Sequence, residues 1–175
     1  SSDRVAGAER ARAQHGATVA VLDDAFQHRR ARRDADVVLL SADRWTGARR
    51  HLLPAGPWRE SLRALRRASL IVVTRKAATP ARAEDALQAA LEAAPGVPSA
   101  VVHLAPGALQ RVTPGGDSTS QPLDALRGAS VFAVSAIGDA AAFHAQLREA
   151  GALLAPPPAT YPDHHAFTRA DAEQL

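Results

Sequence analysis

The 175-residue sequence contains no cysteine, no methionine and a single lysine, Lys76. Without cysteine there is no disulfide, no thiolate metal site and no cysteine nucleophile, and the redox compartment stays open. A translated chain needs an initiator, so the missing methionine and the Ser1-Ser2-Asp3 opening lead us to expect an excerpt or processed piece of something longer. Aromatic residues make up 4%, too few for the stacking platforms of a nucleic-acid-binding surface. No run approaches the roughly 20 apolar residues of a membrane-spanning helix, and Ser1 to His15 lacks the apolar core of a signal peptide. Membrane contact is therefore expected at the surface or through a segment outside this sequence. Also missing are a Gly-x-Ser-x-Gly nucleophile elbow and a Gly-x-Gly-x-x-Gly dinucleotide fingerprint. Lys76 stands in Thr74-Arg75-Lys76-Ala77 without the preceding glycines of a Walker A loop, so a complete nucleotide-phosphate cradle is absent from these residues.

What is present is globular. Apolar residues make up 46% and charged residues 22%, which excludes general disorder. Charge is divided unevenly: residues 1–76 hold 16 Lys and Arg against 8 Asp and Glu, whereas residues 77–175 hold 5 against 10. An arginine-rich half suits a polyanionic partner, because guanidinium grips phosphate oxygens bidentately. The same half also fits an arginine-for-lysine composition on ordinary solvated faces.

Asp3 and Gly16 bracket a helix from Arg4 to Gln14. Thr18 to Leu22 and Val37 to Leu40 are continuous apolar runs, as expected of strands buried on both faces. Glu60 to Arg67 reads as a helix, Leu70 to Val73 as a third strand, and Thr79-Pro80 opens a helix running to about Ala94. Ala100 to Leu104 is the fourth strand. Residues 106–122 are rich in Gly, Pro, Ser and Thr with one short alternating run, Leu109 to Val112, and mark a linker. Then come strand Val131 to Val134, helix Ala140 to Glu149 stopped by Gly151, the link Pro156-Pro157-Pro158, and Thr168-Arg169-Ala170-Asp171, a capping box opening a last helix. Strands alternating with helices predict an α/β fold with a mainly parallel sheet and flanking helices, with ligands beyond the carboxyl ends of the strands.

Three segments can carry chemistry. Val19-Ala20-Val21-Leu22-Asp23-Asp24 delivers two carboxylates at the end of an apolar run, the hard oxygen donors that a magnesium–nucleotide site needs. An Asp pair equally caps a turn. Gln27, His28, Arg29 and Arg30 follow, either an anion-binding group or a solvated basic loop. In Leu52-Leu53-Pro54-Ala55-Gly56-Pro57-Trp58-Arg59-Glu60, two prolines and a glycine stiffen a loop that presents Arg59 to a phosphate and Glu60 to a metal water. Alternatively, Glu60 answers a helix dipole. In Tyr161-Pro162-Asp163-His164-His165-Ala166-Phe167-Thr168, an Asp beside a His can orient an imidazole or tune it to assist a general base. Adjacent histidines diverge, so this is not a zinc site.

In this order, these segments resemble tetraacyldisaccharide 4'-kinase, the lipid A 4'-kinase family of Gram-negative bacteria. The likeness rests on Val21 to Arg30, Asp34 to Leu40, Leu52 to Glu60, Leu65-Arg66-Arg67-Ala68, Ala136-Ile137-Gly138-Asp139 and Tyr161 to Thr168. The resemblance implies a P-loop-type kinase core, incomplete here, over residues 1–105, the linker over 106–122, and a smaller, truncated C-terminal α/β lobe over 123–175. It implies transfer of the ATP γ-phosphoryl group, with Mg²⁺, to the 4'-hydroxyl of a tetraacyldisaccharide 1-phosphate at the cytoplasmic face of the inner membrane. By similarity, Asp23 and Asp24 are the aspartate pair near metal and phosphates. Gln27, His28 and Arg29 lie toward the substrate, Arg59 and Glu60 are the Arg-Glu pair at phosphate and metal, and His164 supports a catalytic-base aspartate from an earlier part of the family's chain. A carboxylate held by an imidazole can accept the proton of a poorly nucleophilic sugar hydroxyl.

This sequence departs from the family pattern at Ala25, where the family usually has Gly. The family's P-loop, base aspartate and membrane-associating segment also precede the part matched here, so these residues are expected to hold part of a site and to be inactive by themselves. The other reading is a truncated, non-catalytic protein that binds anionic glycolipid through its basic half.

Overall fold

The computed structural model describes residues 4–45, 51–56, 58–155 and 157–175. The expected cap Asp3, Pro57 of the stiffened loop and Pro156 of the proline link lie outside the described residues.

Helix α1 (Arg4–His15) ends at Gly16, whose φ of 64° is the left-handed value a helix-terminating glycine supplies without strain. The central sheet has three parallel strands in the order β1 (Val37–Ser41), β2 (Leu70–Arg75) and β3 (Ser99–His103). Between β1 and β2 a single 3-10 stretch, Leu62–Arg67, replaces the longer helix expected from Glu60. Helix α2 (Pro80–Ala93) crosses from β2 to β3; Pro80 lacks the N–H that a first turn leaves unused, and Thr79 Oγ1 accepts from Arg82 N at 3.3 Å.

The core lies between α2 and one face of the sheet. Ala83, Ala86 and Ala90 recur at helical spacing and are buried against Ile71 and Val73, with Leu65 and Ala68 of the 3-10 segment completing the layer. Small side chains on α2 let the helix approach the sheet closely.

The run Thr18 to Leu22 is not a strand: no partner pairs with it among the described residues, and Val19 and Val21 are 77% and 91% exposed. A β-prone apolar run becomes a strand only where a neighbour takes its backbone hydrogen bonds. The parallel strands are also not buried on both faces, since Val37 and Leu39 on β1 are 57% and 65% exposed, on the face opposite α2. Apolar periodicity records which residues can be covered, and only neighbours in space decide whether they are.

Within the segment expected as a linker, the alternating run Leu109 to Val112 lies in an antiparallel hairpin, β4 (Ala108–Val112) with β5 (Ser118–Pro122), turned at Gly116 with φ 86°. Beyond it, the expected strand Val131 to Val134 is two short pieces, β6 (Ser130–Val131) and β7 (Val134–Ser135). They run parallel to β8 (Leu153–Leu154) and β9 (Ala159–Thr160) respectively, with α3 (Ala140–Glu149) as the crossover. The ladder breaks opposite Pro157 and Pro158, which have no N–H to donate. Helix α4 (Arg169–Gln174) closes the chain with the expected capping box between Thr168 and Asp171.

Candidate functional site

The residues just past β1 bring two of the chemistry-bearing segments, the one around Trp58 and the loop after β7, to the carboxyl end of the sheet. Trp45 meets Trp58 with ring centroids 5.7 Å apart, which brings Arg59 and Glu60 to this end. Arg44 Nη2 donates to Gly138 O at 3.3 Å, which brings the loop after β7 to the same end. Asp43 holds the turn after β2: its carboxylate accepts from the backbone N–H groups of Lys76, Ala77 and Ala78 at 2.7–2.8 Å. Partial burial works against ionisation of Asp43, and these N–H groups outweigh it, so its carboxyl sits below the ordinary range.

Asp24 and Arg59 meet. Arg59 Nη1 donates to Asp24 Oδ2 at 2.8 Å, joining two segments that are 35 residues apart. Asp24 has φ 48°, a left-handed conformation that Asp tolerates better than most residues. Ala25 is buried and is not among the residues of positive φ. The turn's left-handed position is therefore Asp24, and the methyl group of Ala25 costs no backbone strain. Arg4 Nη1 donates to both Asp23 O and Asp24 O, at 2.9 and 3.1 Å, so α1 braces the aspartate pair from behind.

Glu60 is turned elsewhere. Its Oε2 accepts from Arg67 Nη2 at 2.6 Å, and the same guanidinium lies 4.5 Å from the centroid of the Phe26 ring. Arg67 thus ties the Arg59-Glu60 segment to the residues following Asp24. Among the described residues no group of three or more His, Asp or Glu side chains is placed to hold a metal ion. Asp23, Asp24 and Glu60 do not converge in this arrangement, in which Asp24 and Glu60 each face an arginine.

The Gln27-His28-Arg29 turn is held from below by Arg33. Its Nη1 donates to His28 O and Ala31 O at 2.7 and 2.9 Å, while Nε and Nη2 form a fork with Asp36 at 2.7 and 3.2 Å. Asp36 begins the approach to β1, so the turn is fixed to the sheet.

The histidine pair divides its labour. His164 follows β9 on a turn closed by His165 N donating to Pro162 O at 3.1 Å, and its own N donates to Ala136 O at 3.2 Å. It has φ 57° and a side chain 95% exposed. A left-handed non-glycine residue costs about 1–2 kcal/mol and persists where its surroundings over-determine it. The expected Asp-His contact is looser than a hydrogen bond, with His164 Nε2 4.0 Å from Asp163 Oδ2. Asp163 instead lies against Gly138: a Cβ there would stand 3.1 Å from Asp163 Oδ2. The carboxylate–imidazole pair is made by the next residue, His165, whose Nε2 is 3.1 Å from Asp171 Oδ2. The hydroxyl of Thr168, its backbone N–H and then His165 hold the Asp171 carboxyl below its ordinary range.

Arg4, Arg33, Asp43 and Arg67 were not singled out from sequence for any role. A lone Arg or Asp gives no periodic or spacing signal, and each acts through partners distant along the chain or through backbone atoms.

Comparison with known proteins identifies the family. A family profile described as tetraacyldisaccharide-1-P 4'-kinase matches residues 1–175. Proteins named tetraacyldisaccharide 4'-kinase include one from Anaeromyxobacter sp. (strain Fw109-5), 42% identical over 91% of this chain and 42% of its own length. One from Halorhodospira halophila is 38% identical over 97% of this chain and 44% of its own. Another, from Nitrobacter winogradskyi, is 36% identical over the whole of this chain and 46% of its own. The chain thus spans less than half the length of these relatives. No solved structure matches. With every segment of the arginine–aspartate junction and the histidine turn inside the matched residues, the chain belongs to the tetraacyldisaccharide-1-phosphate 4'-kinase family.

Proposed function

We propose that this chain carries the acidic and C-terminal part of a lipid kinase site, which transfers the γ-phosphoryl group of ATP to the 4'-hydroxyl of a tetraacyldisaccharide 1-phosphate. The observation that carries the reading is the Arg59–Asp24 bond, which joins two of the family's segments across 35 residues. The parallel sheet with its flanking helix fits an incomplete P-loop-type core.

In the transfer, an oxygen–phosphorus bond forms to the sugar hydroxyl, the bond between the γ-phosphorus and its bridging oxygen breaks, ADP leaves and the hydroxyl proton passes to a base. His164, exposed on its rigid turn, orients and polarises that base. Arg59 is free to exchange Asp24 for a phosphate oxygen without leaving the site, since guanidinium binds either oxyanion in the same fork geometry. Gln27, His28 and Arg29, on the turn braced by Arg33, face the lipid's polar head. Asp23 and Asp24, with Glu60 if it left its bond to Arg67, would be the carboxylates that hold Mg²⁺, an ion that accepts one or two carboxylates together with phosphate oxygens and water. The ion supplies charge neutralisation on the phosphates.

Among the described residues no helix is long and apolar enough to cross a membrane, and the reading places the site at the cytoplasmic surface of the inner membrane, where the lipid substrate resides. The 175 residues contain no Walker A loop, so by themselves they do not turn over ATP.

The test is phosphoryl transfer by the whole protein as encoded in its genome. Asp23→Asn is expected to lower kcat by about 100-fold or more, with lipid affinity kept within about twofold. Wild-type turnover in that variant would remove the acidic pair from the mechanism. Lipid binding with no transfer by the unaltered whole protein would favour the glycolipid-binding alternative.

A further inference from the structure

His164 and His165 are neighbours in sequence and opposites in environment. The His164 ring is 95% exposed, and no hydrogen bond holds it in place among the contacts described above. His165 is locked on three sides. It stacks on Tyr161 with centroids 4.7 Å apart and planes 20° from parallel, meets Phe167 edge-on at 5.3 Å, and directs Nε2 to Asp171 Oδ2 at 3.1 Å. Tyr161 and Phe167 also pack on each other at 5.1 Å, so the three rings form one unit.

Asp171 is itself fixed, because the same Oδ2 accepts from Thr168 N and from Thr168 Oγ1, both at 2.7 Å, in the capping box of α4. A rigid chain of contacts therefore runs from the first turn of α4 through Asp171 and His165 to the turn that presents His164. That turn needs such support, since its third position is left-handed and is filled by a histidine rather than by the glycine that would fit it without strain. Asp163 does not supply the support, its carboxylate being 4.0 Å from the His164 ring.

We propose that His165 is a positioning residue, which through its bond to Asp171 and its stack on Tyr161 fixes the backbone of His164 and so sets where the His164 imidazole stands when phosphoryl transfer occurs. The proposal rests on the role given to His164 in the proposed function. The His165 ring itself touches neither substrate nor nucleotide.

The test compares His164→Ala, His165→Phe and His165→Gln in the whole protein, with kcat, KM for both substrates and thermal melting measured for each. Phe keeps a ring against Tyr161 and lacks the donor to Asp171, whereas Gln returns an amide donor. His165→Phe is expected to lower kcat about tenfold with each KM within about twofold and an unchanged melting temperature. His165→Gln is expected to recover most of that loss. If His165→Phe fails to fold, Tyr161→Leu, which removes the ring stacked on His165 and leaves the bond to Asp171, is expected to give a kcat-only loss in the same direction. Wild-type kcat in His165→Phe while His164→Ala is impaired would overturn the positioning role alone. A fall in melting temperature accounting for the whole loss would do the same. Wild-type turnover in His164→Ala would overturn the reading of His164 and this proposal with it.

Discussion

Arg59 Nη1 stands 2.8 Å from Asp24 Oδ2, and both side chains are more than half exposed. An ion pair in that setting contributes little to stability, since water screens the charges and the side chains lose freedom on pairing. Its value lies in position: it brings together at one point a carboxylate and a guanidinium from segments that α1, Arg67 and the paired tryptophans each hold separately.

Arg59→Ala and Asp24→Asn are therefore expected to change unfolding free energy by less than about 1 kcal/mol each, while each lowers turnover of the whole protein by about tenfold or more. Asn is chosen because it tolerates the left-handed backbone at this position. Thermal melts beside phosphoryl-transfer rates check this, and a large stability loss with intact turnover would make the pair structural.

Asp43 is expected to behave in the opposite way. Its carboxylate satisfies three backbone N–H groups, so Asp43→Ala should destabilise the protein by about 1–2 kcal/mol, toward the lower end for a half-exposed site. Because the folded-state carboxyl is held below its ordinary value, this stabilisation is fully present above the unfolded-state pKa of about 4. It is lost as the pH falls through the folded-state value. Melting temperatures followed from pH 7 down into the acid range should converge for wild type and Asp43→Asn, and a constant gap across that range would contradict the account.

The alanine face of α2 predicts a third outcome. Ala86 is fully buried between Val73 and the neighbouring alanines, so Ala86→Leu forces the helix away from the sheet and should cost about 1–3 kcal/mol. Denaturant unfolding measures it directly. An unchanged midpoint would mean that the layer holds more free space than its packing shows.

Much of the local structure was legible because its causes are local. Gly16 ends α1, Thr79 and Pro80 open α2, Gly151 follows α3, and Thr168 with Asp171 caps α4, each through backbone groups within a few residues. The parallel strands around β2 announced themselves as apolar runs. The run Thr18 to Leu22 carries the same signal and forms no strand, because a strand is completed by a partner and none pairs with it among the described residues. Pro157 and Pro158 were visible as a stiff link, but the break they make in a ladder required knowing which strand lay opposite.

The sequence by itself determined the main helices and the three strands of the central sheet, the carboxylates, arginines and histidines available, and the family to which they belong. Only the tertiary structure decided how those groups pair. It gave Asp24 to Arg59 and Glu60 to Arg67. It left His164 bare while anchoring His165, and it assigned bracing tasks to Arg4, Arg33 and Asp43. The physical reason is range: caps and apolar runs act within a few residues, whereas ion pairs and stacked rings depend on distances that no spacing along the chain records.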